Sequence, residues 1–274
     1  MRIVTALLAE AKPIIELYNL TPMGGNLIFP IYQKNNYFLV VSGIGKINSA
    51  IATTYLHLKS GESRNQPFLN IGIAGHHRPI KGMPVVANKI TEKNSGDTKY
   101  PPQIIFESLQ RSHLITVDKR ESMYETDAAY DMEGYAFYIS ALRYTTAELA
   151  QSLKIISDHP TSSATKLDAT KIENLIRNRL NEIDRFVQIL IKLSRLAMPQ
   201  LIEPSVLENF YTRWHFTITQ KHQLKKIVRR WLVLTKEDNL SAMIPIDCPS
   251  AKKAIETLEN KLNARSLFLH PDKI

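Results

Sequence analysis

Tyr37-Phe38-Leu39-Val40-Val41-Ser42-Gly43-Ile44-Gly45-Lys46-Ile47-Asn48-Ser49-Ala50 reads as a buried run, a glycine turn and the opening of a helix. Aromatic and β-branched residues favour a strand before Ser42. Gly43 and Gly45 allow backbone angles closed to other residues, and the apolar spacing from Ile47 to Leu58 is helical. The same alternation runs outward in both directions. Ile3 to Leu8 reads as a strand, followed by a helix from Glu10 to Tyr18 with apolar Ile14, Ile15 and Leu17. Asn26 to Gln33 and Tyr37 to Ser42 flank Lys34-Asn35-Asn36, a polar turn with hairpin chemistry. Phe68 to Ile73, Met83 to Ile90 and His113 to Val117 are further strands, and Asn94 to Pro102 is a loop. Strands alternating with helices across short loops predict an α/β fold with a parallel or mixed central sheet.

Thr170-x-x-Glu173 has the spacing of a capping box, and the apolar stripe from Ile172 to Ile191 predicts one helix over 170–196. Pro199 and Pro204 mark a boundary, dividing the chain into an α/β domain (1–198) and a helical carboxy-terminal extension (199–274). Helices are expected over Val206 to Arg213, Gln220 to Leu234 and Ser250 to Ala264. Trp214, His215, Phe216 and Trp231 beside basic residues are compatible with stacking on nucleic acid. The spacing of Leu224, Ile227, Val228, Trp231 and Leu232 fits an amphipathic helix better, used in packing or an oligomer interface.

At 274 residues with 44% apolar content the chain can bury a substantial core. Its formal net charge of +9 is read as a solvated basic surface, with contact to nucleic acid or an anionic membrane as the sharper alternative that charge alone does not decide; nucleic acid is not the expected partner. Cys248 is the single cysteine, which excludes an intrachain disulfide or a cysteine-based zinc cluster and suits a reducing cytoplasm. The amino-terminal apolar run meets Glu10 too early for a secretory segment, and no stretch has spanning length, so no membrane partner is expected. His76 and His77 are read as loop residues rather than metal ligands, since no other ligands stand at a supporting spacing.

Two acids stand at the ends of apolar runs. One run closes in Asp131-Met132-Glu133-Gly134, the other in Leu153-Lys154-Ile155-Ile156-Ser157-Asp158. Open α/β sheets bind ligands at the carboxyl ends of their strands. Two carboxyl groups in different roles suit cleavage of a glycosidic bond. The plainer alternatives are an Asp that caps a loop and a Glu favoured by the first turn of a helix.

Five blocks in order carry a resemblance: Ala6-Leu7-Leu8-Ala9-Glu10, Val41 to Ala50, Asn70-Ile71-Gly72-Ile73-Ala74-Gly75, Asp131-Met132-Glu133-Gly134 and Ile156-Ser157-Asp158. Over roughly residues 1 to 195 the chain resembles the nucleoside phosphorylase and nucleosidase superfamily, and most closely the methylthioadenosine/S-adenosylhomocysteine nucleosidases. That resemblance implies a three-layer sandwich with a mixed central sheet. It also implies hydrolysis of the N-glycosidic bond of a 5′-modified adenosine, without metal or organic cofactor, in a homo-oligomer whose partner is a small purine nucleoside. By the same resemblance Asp158 is the acid that protonates N7 of the base, with Ser157 orienting it. Glu133 holds the ribose 2′- and 3′-hydroxyls, Met132 packs on the sugar, and Glu10 activates water beside Ser42. Gly43 and Gly75 let backbone approach the ligand. Tyr124 is the candidate for stacking on the base.

Asn70 stands where the phosphorylases carry a phosphate-binding arginine, and Glu10 stands where they have a phosphate loop. Both departures favour water over phosphate as the nucleophile. His76-His77 replaces a second glycine, and Thr116-Val117-Asp118 replaces a Ser-Gly-Asp turn. A phosphorylase, or a degenerate fold used for binding or assembly, are the alternatives.

Overall fold

Strands β1 (Arg2–Thr5), β4 (Tyr37–Val41) and β5 (Phe68–His76) run parallel, with β1 between the other two. Beyond β4 lie β3 (Ile31–Lys34) and the two-residue β2 (Thr21–Pro22), both antiparallel. On the other side, β5 pairs in parallel with β10 (Ala150–Asp158) and antiparallel with β9 (Ala129–Asp131). Strands β6 (Pro84–Glu92) and β8 (Gln110–Thr116) complete a closed circuit β5-β10-β6-β8-β9. The short β7 (Thr98–Lys99) hangs on β6, inside the stretch expected to be all loop. The sheet is therefore mixed. The computed structural model describes residues 1–62, 65–103, 109–121, 123–160, 168–197, 204–235, 240, 244 and 247–266.

Helices cover both faces. On one side α2 (Lys46–Lys59) and α3 (Gly134–Ala141) bury Ala52, Leu56 and Phe137 against Val4, Val40 and Ile156. On the other, α1 (Leu8–Tyr18), α4 (Ala169–Arg177) and α5 (Leu180–Ala197) bury Ile14, Ile176, Phe186 and Leu190 against Ile3, Leu39, Ile71 and Leu153. This is the α/β/α layering expected, because each strand of the centre is apolar on both faces.

Three expectations are corrected. The strand proposed over Asn26 to Gln33 forms only from Ile31, because Pro30 has no amide to give a ladder. The single helix over 170–196 is two helices, α4 and α5. Its cap is Asp168, whose carboxylate accepts from the Lys171 amide (2.8 Å), and not Thr170. Asn178 ends α4, and the Arg179 guanidinium turns aside to donate to the Gly82 carbonyl (2.8 Å). His76 belongs to β5 rather than a loop. It is buried, with Nδ1 accepting from the Arg78 amide (2.8 Å).

The chain divides into two compact units, Met1–Ala197 and Met198–Ile274. The second holds α6 (Pro204–Tyr211), α7 (Ile218–Thr235) and α8 (Ala251–Ser266). Phe210, Leu224, Val228, Trp231, Leu258 and Leu262 form its core, and the Trp214 indole donates to the Cys248 carbonyl (2.9 Å). The apolar stripe read from the sequence is thus spent on this unit's own interior. Among the described residues no helix is long and apolar enough to cross a membrane.

Candidate active site

A cavity of about 290 Å³ opens at the carboxyl ends of β1, β5, β9 and β10. Its lining includes the acidic residues Glu10, Glu121, Glu133 and Asp158, with Arg120 as a cationic side chain beside them, and Asp131 through atoms other than its buried carboxylate. Asp131 and Asp158 are the last residues of β9 and β10, and the others stand on the helix starts and loops that follow strand ends, where open α/β sheets form their clefts.

Glu10 sits in the first turn of α1 and folds back on the chain before it. One carboxylate oxygen accepts from the amides of Ala6 and Leu7 (both 2.9 Å), and the other from the amide of Ile73 on β5 (2.9 Å). Burial pushes its carboxyl above the usual range, against the pull of Lys154 and those three amides. Gly72 makes room for it: a Cβ there would stand 2.7 Å from Glu10 Oε1. Gly72→Ala should therefore displace the Glu10 carboxylate. We expect a loss of about 1–3 kcal/mol by chemical denaturation, with a parallel loss of any turnover that depends on Glu10.

Glu133 precedes α3 and is 7% exposed. It accepts from the Gly45 amide (2.8 Å), which Gly45 can aim only through its φ of 103°. Burial, and then the charge of Asp131, raise its carboxyl to about 7, against the opposing pull of Lys154. Beneath it, Lys154 Nζ pairs with Asp131 Oδ2 at 2.9 Å, both side chains closed to solvent. Asp131 is held further by the Thr116 hydroxyl and the Gly134 amide (both 2.7 Å). Burial works against the Lys154 charge, but Asp131, Glu133 and Glu10 together raise its pKa. One buried ammonium thus faces three carboxylates.

Asp158 closes β10. Its carboxylate accepts from the Ser157 hydroxyl, the Tyr124 hydroxyl (2.6 Å) and Arg120 (3.2 Å). Burial alone would raise its pKa, but these donors outweigh burial and hold the carboxyl below its usual range. Tyr124 is buried, with a left-handed φ of 44°, and His77 Nδ1 donates to its carbonyl (2.6 Å). Its phenol lies so close over Gly75 that a Cβ there would stand 2.0 Å from the hydroxyl.

Against solved structures, this chain is similar to the methylthioadenosine/S-adenosylhomocysteine nucleosidase of Campylobacter jejuni. The TM-score is 0.53 at 18% identity, over 66% of this chain and 95% of that one. The same enzyme from Colwellia psychrerythraea, solved with adenine, matches at TM-score 0.51 and 19% identity, over 66% and 94%. Futalosine hydrolase of Helicobacter pylori matches at 0.53 and 18%, over 68% and 96%. The chain shares the fold of these nucleosidases and of futalosine hydrolase. No protein-family model and no curated protein matches it.

On this nucleosidase fold, seven of the residues singled out in the sequence meet at one cavity: Glu10, Gly75, Tyr124, Met132, Glu133, Ser157 and Asp158. Ser42 and Gly43 are not among the lining residues. The Ser42 hydroxyl is buried and directed at the carbonyls of Thr5 (3.2 Å) and Gly43 (2.8 Å). Gly43, with φ of 79°, serves the turn into α2. Asn70 lies off the cavity and donates to the Val4 carbonyl (3.1 Å). Tyr124 lines the cavity, but with its hydroxyl on Asp158. Lys154, Asp131 and Arg120 were not foreseen. Lys154 carried a signal, since a lysine inside an apolar strand is fully buried only when it is paired. Among the described residues no group of three or more His, Cys, Asp or Glu is arranged to hold a metal ion.

Proposed function

We propose that the chain is a purine nucleosidase, hydrolysing the N-glycosidic bond of an adenosine derivative of the methylthioadenosine, adenosylhomocysteine or 5′-deoxyadenosine type. The observation that supports this most is the convergence of Glu10, Glu133 and Asp158 on one cavity. Glu133 presents a carboxylate suited to two vicinal ribose hydroxyls, and its charge favours the oxocarbenium-like transition state. Glu10 takes the role of base for water. Asp158 takes the role of acid toward the departing base.

In the free protein Asp158 is held as a carboxylate by its three donors. A base seated there displaces Tyr124 and Arg120, which leaves burial as the dominant influence and draws a proton onto the carboxyl. A neutral leaving base then departs more readily than its anion. A wall with Glu10, Glu121, Glu133 and Asp158, where Arg120 is engaged by Asp158, is a poor home for phosphate, so water is the nucleophile.

Adenine release from methylthioadenosine, adenosylhomocysteine or 5′-deoxyadenosine should proceed in phosphate-free buffer, followed by chromatography. A strict phosphate requirement would make the protein a phosphorylase instead. Glu133 must be ionised to work and titrates at about 7. Accordingly, kcat/KM should rise about tenfold per pH unit below that value and level off above it. A profile flat through pH 7 would remove Glu133 from the mechanism.

The Tyr124 phenol over Gly75 and on Asp158 favours a second reading, a nucleosidase fold that binds without turnover. Tight nucleoside binding with no base released would establish it. The proposal places the protein in the cytoplasm, where the free thiol of Cys248 stays reduced, and as a homo-oligomer.

A further inference from the structure

Helix α7 turns its apolar face inward and a face rich in lysine and arginine outward. Leu224, Ile227, Val228, Trp231 and Leu232 are buried in the core of the second unit. Lys221, Lys225 and Arg229 follow one another at four-residue steps, with Lys226 and Arg230 alongside, and all five are exposed. Ile218–Thr235 contains no Asp or Glu. Among the described residues, no carboxylate lies within ion-pair distance of Lys225, Lys226, Arg229 or Arg230. Lys221 stands over the ring of Tyr211 at 5.2 Å.

Like charges one helical turn apart repel and weaken a helix. Here the helix holds two such rows, and among the described residues of its own unit no carboxylate pairs with Lys225, Lys226, Arg229 or Arg230. Residues 221 to 230 span about 14 Å of helix, along which a nucleic acid duplex presents about eight phosphates.

We propose that the outer face of α7 binds nucleic acid through the phosphate backbone, without reading sequence. The sequence reading set nucleic acid aside because the apolar spacing assigned this helix to packing. The structure separates the two faces, so packing uses one and leaves the other free. A lipid surface fits less well. An interfacial helix inserts its apolar face, and in α7 that face is already buried. The proposal does not depend on the proposed enzyme activity.

The test uses the full chain and a short fluorescein-labelled DNA duplex of mixed sequence, read by anisotropy. Five phosphate contacts give a slope of log K against log salt of about −4.5, or about a 500-fold loss between 50 and 200 mM salt. Replacing Lys225, Lys226, Arg229 and Arg230 together by Gln should abolish binding while the far-UV circular dichroism is unchanged. The Lys225→Glu and Arg229→Glu double variant provides a second test should the quadruple variant lose helix. No binding of the wild-type chain to the duplex or to a single strand at low salt would overturn the proposal. So would undiminished binding by either folded variant, or binding to phosphatidylserine vesicles without binding to the duplex.

Discussion

Asp158→Asn should reduce base release by about 10²–10⁴-fold in kcat while leaving KM nearly unchanged. The carboxamide keeps one oxygen for the donors that converge on Asp158, so the site retains its shape. What it loses is a group able to carry a proton to the leaving base. Circular dichroism and a melting temperature within a few degrees of the parent would show that chemistry, rather than folding, was removed. Turnover within tenfold of the parent would show that the proton comes from elsewhere, with solvent the remaining source.

Lys154→Met should be the most destabilising single change at the site. The substitution keeps volume and removes the partner of a carboxylate with no access to water. Breaking a buried pair from one side costs about 3–5 kcal/mol, which for a domain of this size lowers the melting temperature by about 6–20 °C. The change should also reach the chemistry. Lys154 opposes the upward push that burial and Asp131 exert on Glu133, so without it Glu133 titrates higher and the rise in kcat/KM moves to higher pH. Replacing Asp131 by Asn in the same chain should restore part of the stability, because the stranded charge is gone. A single variant as stable as the parent would mean that the pair is solvated in solution.

Much of this was legible in the sequence because it rests on local rules. The run from Tyr37 to Ala50 fixed a strand, a turn and a helix, since glycine conformations and apolar spacing act over a few residues. The acids at 133 and 158 were legible for the same reason, being strand-end residues beside turn signals. What escaped detection depends on partners far apart in the chain. Lys154 makes sense only once β9 brings Asp131 beside β10. At the break between α4 and α5, Arg179 bonds a carbonyl at Gly82, a partner 97 residues away in the chain. The Tyr124 phenol met Asp158 instead of standing clear as a stacking surface, and a left-handed backbone angle at a tyrosine has no sequence signature. Ser42 was misplaced because its hydroxyl had carbonyls within reach that only the paired strands supply.

The closed circuit of strands has a consequence for how copies of this protein can meet. A strand with an unpaired side is a template on which a second chain can add. Here β5, β6, β8, β9 and β10 are paired within the circuit, and beyond β1, β4 and β3 the sheet runs out at β2, two residues long and ending in Pro22. A proline cannot donate to an added ladder. Self-association of the native state through its described strands therefore has almost no backbone to work with. Among the described residues, strand addition is thus limited to two-residue edges, β2 and β7.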